Sequence, residues 1–243
     1  MSRQALCALH RDMPRQGPGS PADVHWALRH AGLTPRARVC DAGCGPGADL
    51  ETFAQALPMA ELHGVEMLKH LAAEARLRCA RFSNVSLRTG DMAALDGPYD
   101  LIWCAGALYF LGITNGLCGW RAALAPGGMV AFSEPVLGAG ASAAARAFWA
   151  DYPDVSDMAG IAARVASAGF GVKAHRMIVG APWADYYTAL AGRVAALRPG
   201  ADAELAGVLD AAEAEIAGWR AAPAEIGYAL VLARPVLRGT GDG

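Results

Sequence analysis

The chain has 243 residues, of which 54% are hydrophobic and 18% charged, and its formal net charge is −2. That length suits one α/β domain with a sizeable core, and so low a charged fraction excludes a long disordered tail. With no basic excess, a phosphate backbone is not an expected partner, and the arginines at 76, 78, 81 and 88 read as a solvated helix end.

In chain order, the Pro/Gly-rich stretch from Arg11 to Ser20 predicts an arm or loop. Ser20 is placed to cap a helix from Pro21 to about Ala31, with proline at the first helical position. Strand and helix then alternate. Arg38 to Ala42 is strand-like, Asp49 to Leu57 helical up to Pro58, Glu61 to Val65 strand-like, and Leu68 to Arg78 helical. Val85 to Arg88 and Tyr99 to Cys104 read as strands, Leu117 to Leu124 as a helix, Ala125 to Gly128 as a turn, and Met129 to Ser133 as a strand. A helix over Ser156 to Ala168 and a strand over Phe170 to Val179 continue the alternation. Two helical runs, Ala184 to Leu197 and Asp202 to Arg220, precede a final strand at Ile226 to Ala233 and a frayed tail at Gly239 to Gly243. Alternation of this kind predicts a mostly parallel sheet with helices on both faces.

Six cysteines are scattered without a CxxC pair, so free thiols in a reducing compartment are expected, and no His or second Cys pair completes a metal site at Cys40 and Cys44. The N-terminus shows no basic-then-apolar signal pattern. The long uncharged stretch from Leu101 to Trp120 is broken by glycines and reads as strand, loop and short helix rather than a membrane span. A cytoplasmic protein without a membrane partner is the expectation.

The most informative run is Val39-Cys40-Asp41-Ala42-Gly43-Cys44-Gly45-Pro46-Gly47. A strand ends in an acid, glycines alternate, and a helix opens. Glycines let the backbone turn sharply and approach a ligand, and the helix start offers unpaired N–H groups. Gly43, Gly45 and Ala48 also satisfy the dinucleotide form GxGxxA, so the loop alone is ambiguous. Asp41 is positioned to accept from an ammonium group, and Glu66, ending the second strand, to accept from ribose hydroxyls. A turn or cap role is the alternative for each.

The run D-A-G-C-G-P-G resembles the first motif of the class I S-adenosylmethionine-dependent methyltransferases. Glu66 resembles that family's ribose-binding acid, Gly90-Asp91-Met92 its adenine-contact segment, Asp100 to Trp103 its fourth strand, and Leu124 to Gly128 its turn before the fifth. The five elements keep the family's order across residues 39 to 134. A narrower resemblance, to a group of bacterial small-molecule methyltransferases, rests on Arg15 to Ser20, Gly106-Ala107 with Tyr109, Phe148-Trp149 with Tyr152-Pro153, and Trp183 with Tyr186.

The resemblance implies a Rossmann-like α/β fold: a seven-stranded mixed sheet, mostly parallel, with an antiparallel last strand and a helical insertion before it. It implies one methyltransferase domain over 1–243, divided into an N-terminal arm and helix (1–37), a Rossmann-like core (38–180), a helical insertion or lid (181–225) and a last strand (226–235). It implies S-adenosyl-L-methionine as cofactor, contacted by Asp41, Gly43, Cys44, Gly45, Gly47, Glu66, Met67, Asp91, Met92, Cys104 and Gln16, with a turn role the alternative for Asp91 and plain strand-end packing the alternative for Cys104. Arg15 or Gln16 is a candidate for the cofactor carboxylate or the substrate, or else anchors the loop.

Methyl transfer from a sulfonium is an in-line displacement in which the protein supplies position and electrostatics. No catalytic constellation is required, and none is evident. Glu134 is the first candidate for a general base, and Tyr109 a second catalytic candidate. Tyr109, Trp149, Tyr152, Trp183 and Tyr186 are the candidate substrate wall, with ordinary core packing as the alternative. Aromatic walls suit a small organic molecule or a cation. No nucleic-acid partner and no metal are expected, and the protein is read as a monomer or homodimer. The competing readings are an NAD(P)-dependent Rossmann oxidoreductase, against which the missing Tyr-x-x-x-Lys pair argues, and a non-catalytic cofactor-binding relative.

Overall fold

The computed structural model describes residues 3–236; the tail expected at 239–243 lies outside them. Helices α1 (Arg3–His10) and α2 (Pro21–Ala31) lead into β1 (Arg38–Ala42), α3 (Ala48–Ala56), β2 (Glu61–Glu66), α4 (Lys69–Cys79) and β3 (Val85–Thr89). Then come β4 (Tyr99–Cys104), α5 (Ile113–Trp120), β5 (Leu124–Val136), α6 (Ala143–Phe148), α7 (Met158–Ser167), β6 (Phe170–Ile178), α8 (Ala181–Leu197), α9 (Ala203–Ala221) and β7 (Gly227–Pro235).

The strands form one seven-stranded sheet in the order β3-β2-β1-β4-β5-β7-β6. The first five positions pair in parallel, and β7 runs antiparallel to both β5 and β6. β1 is central and buried from Val39 to Ala42 because it has neighbours on both edges and helices on both faces. Side chains alternate between those faces. Leu101 and Trp103 of β4 and Met129 and Ala131 of β5 join the core under α1, α2, α3, α8 and α9. Ile102, Cys104, Val130 and Phe132 join the core under α5 and α7. Trp103 meets Phe53 edge-on at 5.6 Å, and truncating so buried a ring to alanine costs about 3–5 kcal/mol.

Local chemistry explains the ends of the elements. The Ser20 amide donates to Asp23 Oδ2 at 2.9 Å, half of a capping box that starts α2 beside Pro21, and Gly32 at φ +64° closes it. Four expectations need correcting. The helix expected over 117–124 begins at Ile113 and ends at Trp120, because Ile113, Gly116, Leu117 and Trp120 already make an apolar face one turn earlier. The turn expected at 125–128 lies inside β5. Tyr99 pairs with Leu124 and Leu101 with Met129, so β5 bulges out across Gly127 (φ +81°) and rejoins the ladder. The helix expected from Ala184 starts at Ala181, with Pro182 in a first turn that needs no N–H from it. Helices α1 and α6 were not expected; both are short, at 8 and 6 residues.

In register, Asp41 lies opposite Gly64 of β2 and Trp103 of β4, and Glu66 ends β2 opposite Thr89. The carboxyl ends of the central strands are thereby brought together at one edge, where open α/β sheets take ligands. Among the described residues no helix is long and apolar enough to cross a membrane.

Candidate active site

Above those strand ends lies a cavity of about 550 Å³. Its lining comes from the arm (Arg15 to Pro18), the glycine loop (Gly43 to Pro46), the β2 end (Val65 to Leu68), Gly90 to Met92, and Ala105 to Ala107 with Tyr109 to Leu111. The loop is bolted to the second strand: the amides of Gly43 and Cys44 both donate to the Val65 carbonyl, at 2.8 and 3.1 Å. Gly43, at φ +79°, is a close approach as well as a turn, since a Cβ there would sit 3.0 Å from Ala107 Cβ and 3.3 Å from Met92 Sδ.

Two buried carboxylates face this space. Glu66 is anchored: Oε2 accepts from the Gly45 amide at 2.9 Å and Oε1 from the Leu68 amide at 2.7 Å. Each oxygen keeps a second acceptor direction. Asp41, 2% exposed, is the opposite case, because its Oδ2 has no partner. Burial pushes its carboxyl well above the usual carboxylate range, and the Asp49 charge pushes the same way while Arg15 opposes. Beside it, Arg15 Nη2 donates to Asp49 Oδ1 at 2.5 Å, and Asp49 Oδ2 accepts from the Trp103 indole at 3.0 Å. Burial works against the Arg15 charge, but Asp49, with Asp41 and Asp23, outweighs it and holds the guanidinium charged. One cavity thus presents an underpaired acid, a fixed cation and an anchored acid.

A second cavity of about 950 Å³ opens beside the first, and the two share Gln16, Gly17, Pro18 and Tyr109. It is lined by Phe148, Trp149 and Tyr152 around α6, by Trp183, Tyr186 and Tyr187 of α8, by Tyr228 of β7, and by small residues and Glu215 along α9. The rings meet edge-on or tilted: Trp149 and Trp183 centroids are 5.9 Å apart, Trp183 and Tyr228 4.9 Å, Tyr109 and Tyr152 5.9 Å. Burial pushes the Tyr109 and Tyr186 hydroxyls up, so both stay protonated near neutrality.

Most sequence-derived candidates fall on one cavity or the other. Asp41, Gly43, Cys44, Gly45, Glu66, Met67, Asp91 and Met92 line the first, Gln16 and Tyr109 line both, and Trp149, Tyr152, Trp183 and Tyr186 line the second. Asp91 also spends Oδ1 on the Ala93 amide at 2.8 Å, a turn contact.

Three candidates line neither. At Gly47, φ is +82°, and a Cβ would stand 3.0 Å from Ala75 Cβ, so the missing side chain serves the approach of α3 to α4. Cys104 is fully buried in the core under α5, its thiol driven well above the ordinary range by burial, while Ala105 to Ala107 form the wall in front of it. Glu134 shares the parity of Val130 and Phe132, which face α5 and α7, and lies 3.9 Å from Arg164 of α7. Burial raises its pKa to about 7 against the pull of Arg164.

Asp49, Glu215 and Tyr228 are among the lining residues that the sequence did not single out. Asp49 follows the glycine loop in the first turn of α3, where an acid also reads as a dipole-favoured surface residue. Glu215 sits at the flank of the apolar face of α9, where a lone acid reads as a solvated edge residue. Tyr228 is hidden in an apolar strand.

Residues 39–128 match the family model described as a methyltransferase domain. Among curated relatives, a trans-aconitate 2-methyltransferase of Variovorax paradoxus is 37% identical over 111 residues, covering 44% of this chain and 42% of that protein. A demethylmenaquinone methyltransferase of Tropheryma whipplei is 32% identical over 118 residues, covering 46% of this chain and 48% of that one. The chain therefore spans less than half the length of these relatives. A solved structure of a SAM-dependent methyltransferase from Geobacter sulfurreducens, in complex with S-adenosyl-L-homocysteine, superposes with a TM-score of 0.83 over 97% of this chain and 99% of that one, at 21% identity. The glycine loop between two acid-tipped strands lies in residues 39–128, which match the methyltransferase-domain model, and the strand order is that of the Rossmann-like methyltransferase fold.

Proposed function

We propose that the chain transfers a methyl group from S-adenosyl-L-methionine to a small-molecule acceptor. The observation that carries this reading is Asp41: a buried carboxylate with an unpartnered oxygen, in a cavity that also holds Arg15 and Glu66. An orphaned buried acid is costly unless a ligand completes it, and a ligand with an ammonium group would do so. The residues fit the cofactor. Asp41 would hold its ammonium and Arg15 its carboxylate, Glu66 would use its remaining acceptor directions for the ribose hydroxyls, and Asp91 and Met92 would border the adenine. When bound, the cofactor supplies a methyl group activated by a sulfonium centre.

This chain's own residues then position and enclose. The backbone from Ala105 to Ala107 walls the cavity, while Gln16, Gly17, Pro18 and Tyr109 stand where the two cavities meet and would exclude water from the space between cofactor and acceptor. The acceptor would enter the aromatic cavity. Glu134 is dropped as a base, because it lines neither cavity. In the same reading the chain is one domain, with the arm and residues 181–225 as its lid, and acts in the cytoplasm on a small molecule rather than a nucleic acid, as monomer or homodimer. The relatives' acceptors, trans-aconitate and demethylmenaquinone by name, differ from one another, so the family match fixes no acceptor here.

Thermal shift separates this reading from a dinucleotide enzyme. S-adenosylhomocysteine should raise the melting temperature and NADH should leave it unchanged; the reverse result would sink the proposal.

A further inference from the structure

The aromatic cavity has a chemistry of its own. Its charged lining residues, among the described ones, are Asp151 and Glu215, both at the exposed rim, and no Lys, Arg or His lines it. Glu215 is directed inward, since its Oε1 accepts from the Tyr187 hydroxyl at 2.9 Å. Its charge also reaches Tyr152 and Tyr186, whose hydroxyls are pushed up first by burial and then by Glu215. Deeper in, Trp149 is 2% exposed and its indole N–H has no partner. The neighbouring Trp183 indole, by contrast, donates to the Ile178 carbonyl at 2.9 Å. Trp149 lines the cavity, and an unpartnered N–H on a lining ring would be satisfied by an acceptor on whatever fills it.

Ring faces attract cations, most strongly once water is gone, and a rim bearing one sign of charge concentrates the opposite sign at its mouth. A polycarboxylate would meet Asp151 and Glu215 with no counter-charge to offset the repulsion. We propose that the aromatic cavity takes an organic cation, an ammonium compound that also carries an acceptor oxygen for the Trp149 indole, as the small-molecule substrate of this chain. That this cation is the substrate rests on the methyl-transfer reading; that the cavity prefers a cation rests on the cavity alone.

The test uses the whole chain saturated with S-adenosylhomocysteine and reads intrinsic tryptophan fluorescence. Three probes are titrated: choline, its uncharged isostere 3,3-dimethyl-1-butanol, and trans-aconitate. Choline should bind at least about tenfold more tightly than the alcohol, and trans-aconitate should not bind. The double variant Asp151→Asn/Glu215→Gln should weaken choline about threefold or more and leave the affinity for the alcohol and for S-adenosylhomocysteine unchanged. Equal binding of choline and the alcohol, tighter binding of trans-aconitate, or no binding of choline by a chain that still takes S-adenosylhomocysteine would overturn the cation inference alone. Choline binding by a chain that ignores S-adenosylhomocysteine would overturn the methyl-transfer reading alone.

Discussion

The two cavities are built on opposite principles. The first carries its charged groups inside and is assembled from one contiguous stretch of fold: the tips of β1 and β2, the loop between β1 and α3, and the turns after β3 and β4, closed by the arm. The second is aromatic and gathered from α6, α8, α9 and β7, which are far apart in the chain. The first holds its carboxylates close to the backbone that positions them. The second leaves its acids at the rim and puts rings inside. The difference teaches where specificity resides: a common cofactor needs fixed backbone geometry, whereas an acceptor is selected by side chains that can change without disturbing the sheet.

Mutations that strike one cavity and spare the other sharpen this comparison. The largest effect is expected at Asp41. Its raised pKa means that folding favours the protonated acid, so at neutral pH the ionised carboxylate weighs against the free fold. Asp41→Asn should therefore raise the melting temperature of the unliganded chain while weakening S-adenosylhomocysteine about tenfold or more, read by calorimetry. Loss of stability without loss of affinity would break the assignment of that cavity.

The two glycines make the next test. A Cβ at Gly43 intrudes between Ala107 and Met92 on the cavity wall, and one at Gly47 intrudes on Ala75 behind it. Each alanine variant should cost about 1–2 kcal/mol in denaturant unfolding, because both positions have positive φ. Only Gly43→Ala should also weaken the ligand severalfold.

The smallest effect belongs to Glu134. With its pKa raised to about 7, its ionisation opposes folding. That burden is absent below its unfolded pKa of about 4.3, grows as pH rises between the two values, and is complete above the folded one. Glu134→Gln should stabilise the chain by about 1–2 kcal/mol at pH 8 and by almost nothing at pH 4, from unfolding curves. Affinity for S-adenosylhomocysteine should stay unchanged; a tenfold fall would return Glu134 to the site.

The same contrast governs what could be read from the amino-acid sequence. The strand-helix alternation and the mostly parallel sheet were legible because buried parallel strands are continuously apolar and helices keep their period, whereas the antiparallel last strand came only with the family resemblance. Asp41, Gly43 and Glu66 were legible because strand ends, sharp turns and helix starts restrict which residues can stand there. The bulge across Gly127 was not, since a Pro-Gly-Gly run has the same composition in a turn and in a bulged strand. Nor was the separation of Glu134 from the cavities, because which face of β5 it takes depends on the phase of the strand after that bulge. Glu215 and Tyr228 enter the aromatic cavity only through the packing of α9 and β7, and no local pattern marks them.

The central claim is most directly tested by a crystal structure of the chain with S-adenosylhomocysteine bound. The account predicts the ligand's ammonium within about 3 Å of Asp41 and its ribose hydroxyls at a similar distance from Glu66, with its sulfur turned toward the aromatic cavity. A ligand lodged among the rings of α6 and α8, or one that leaves Asp41 unpartnered, would contradict it.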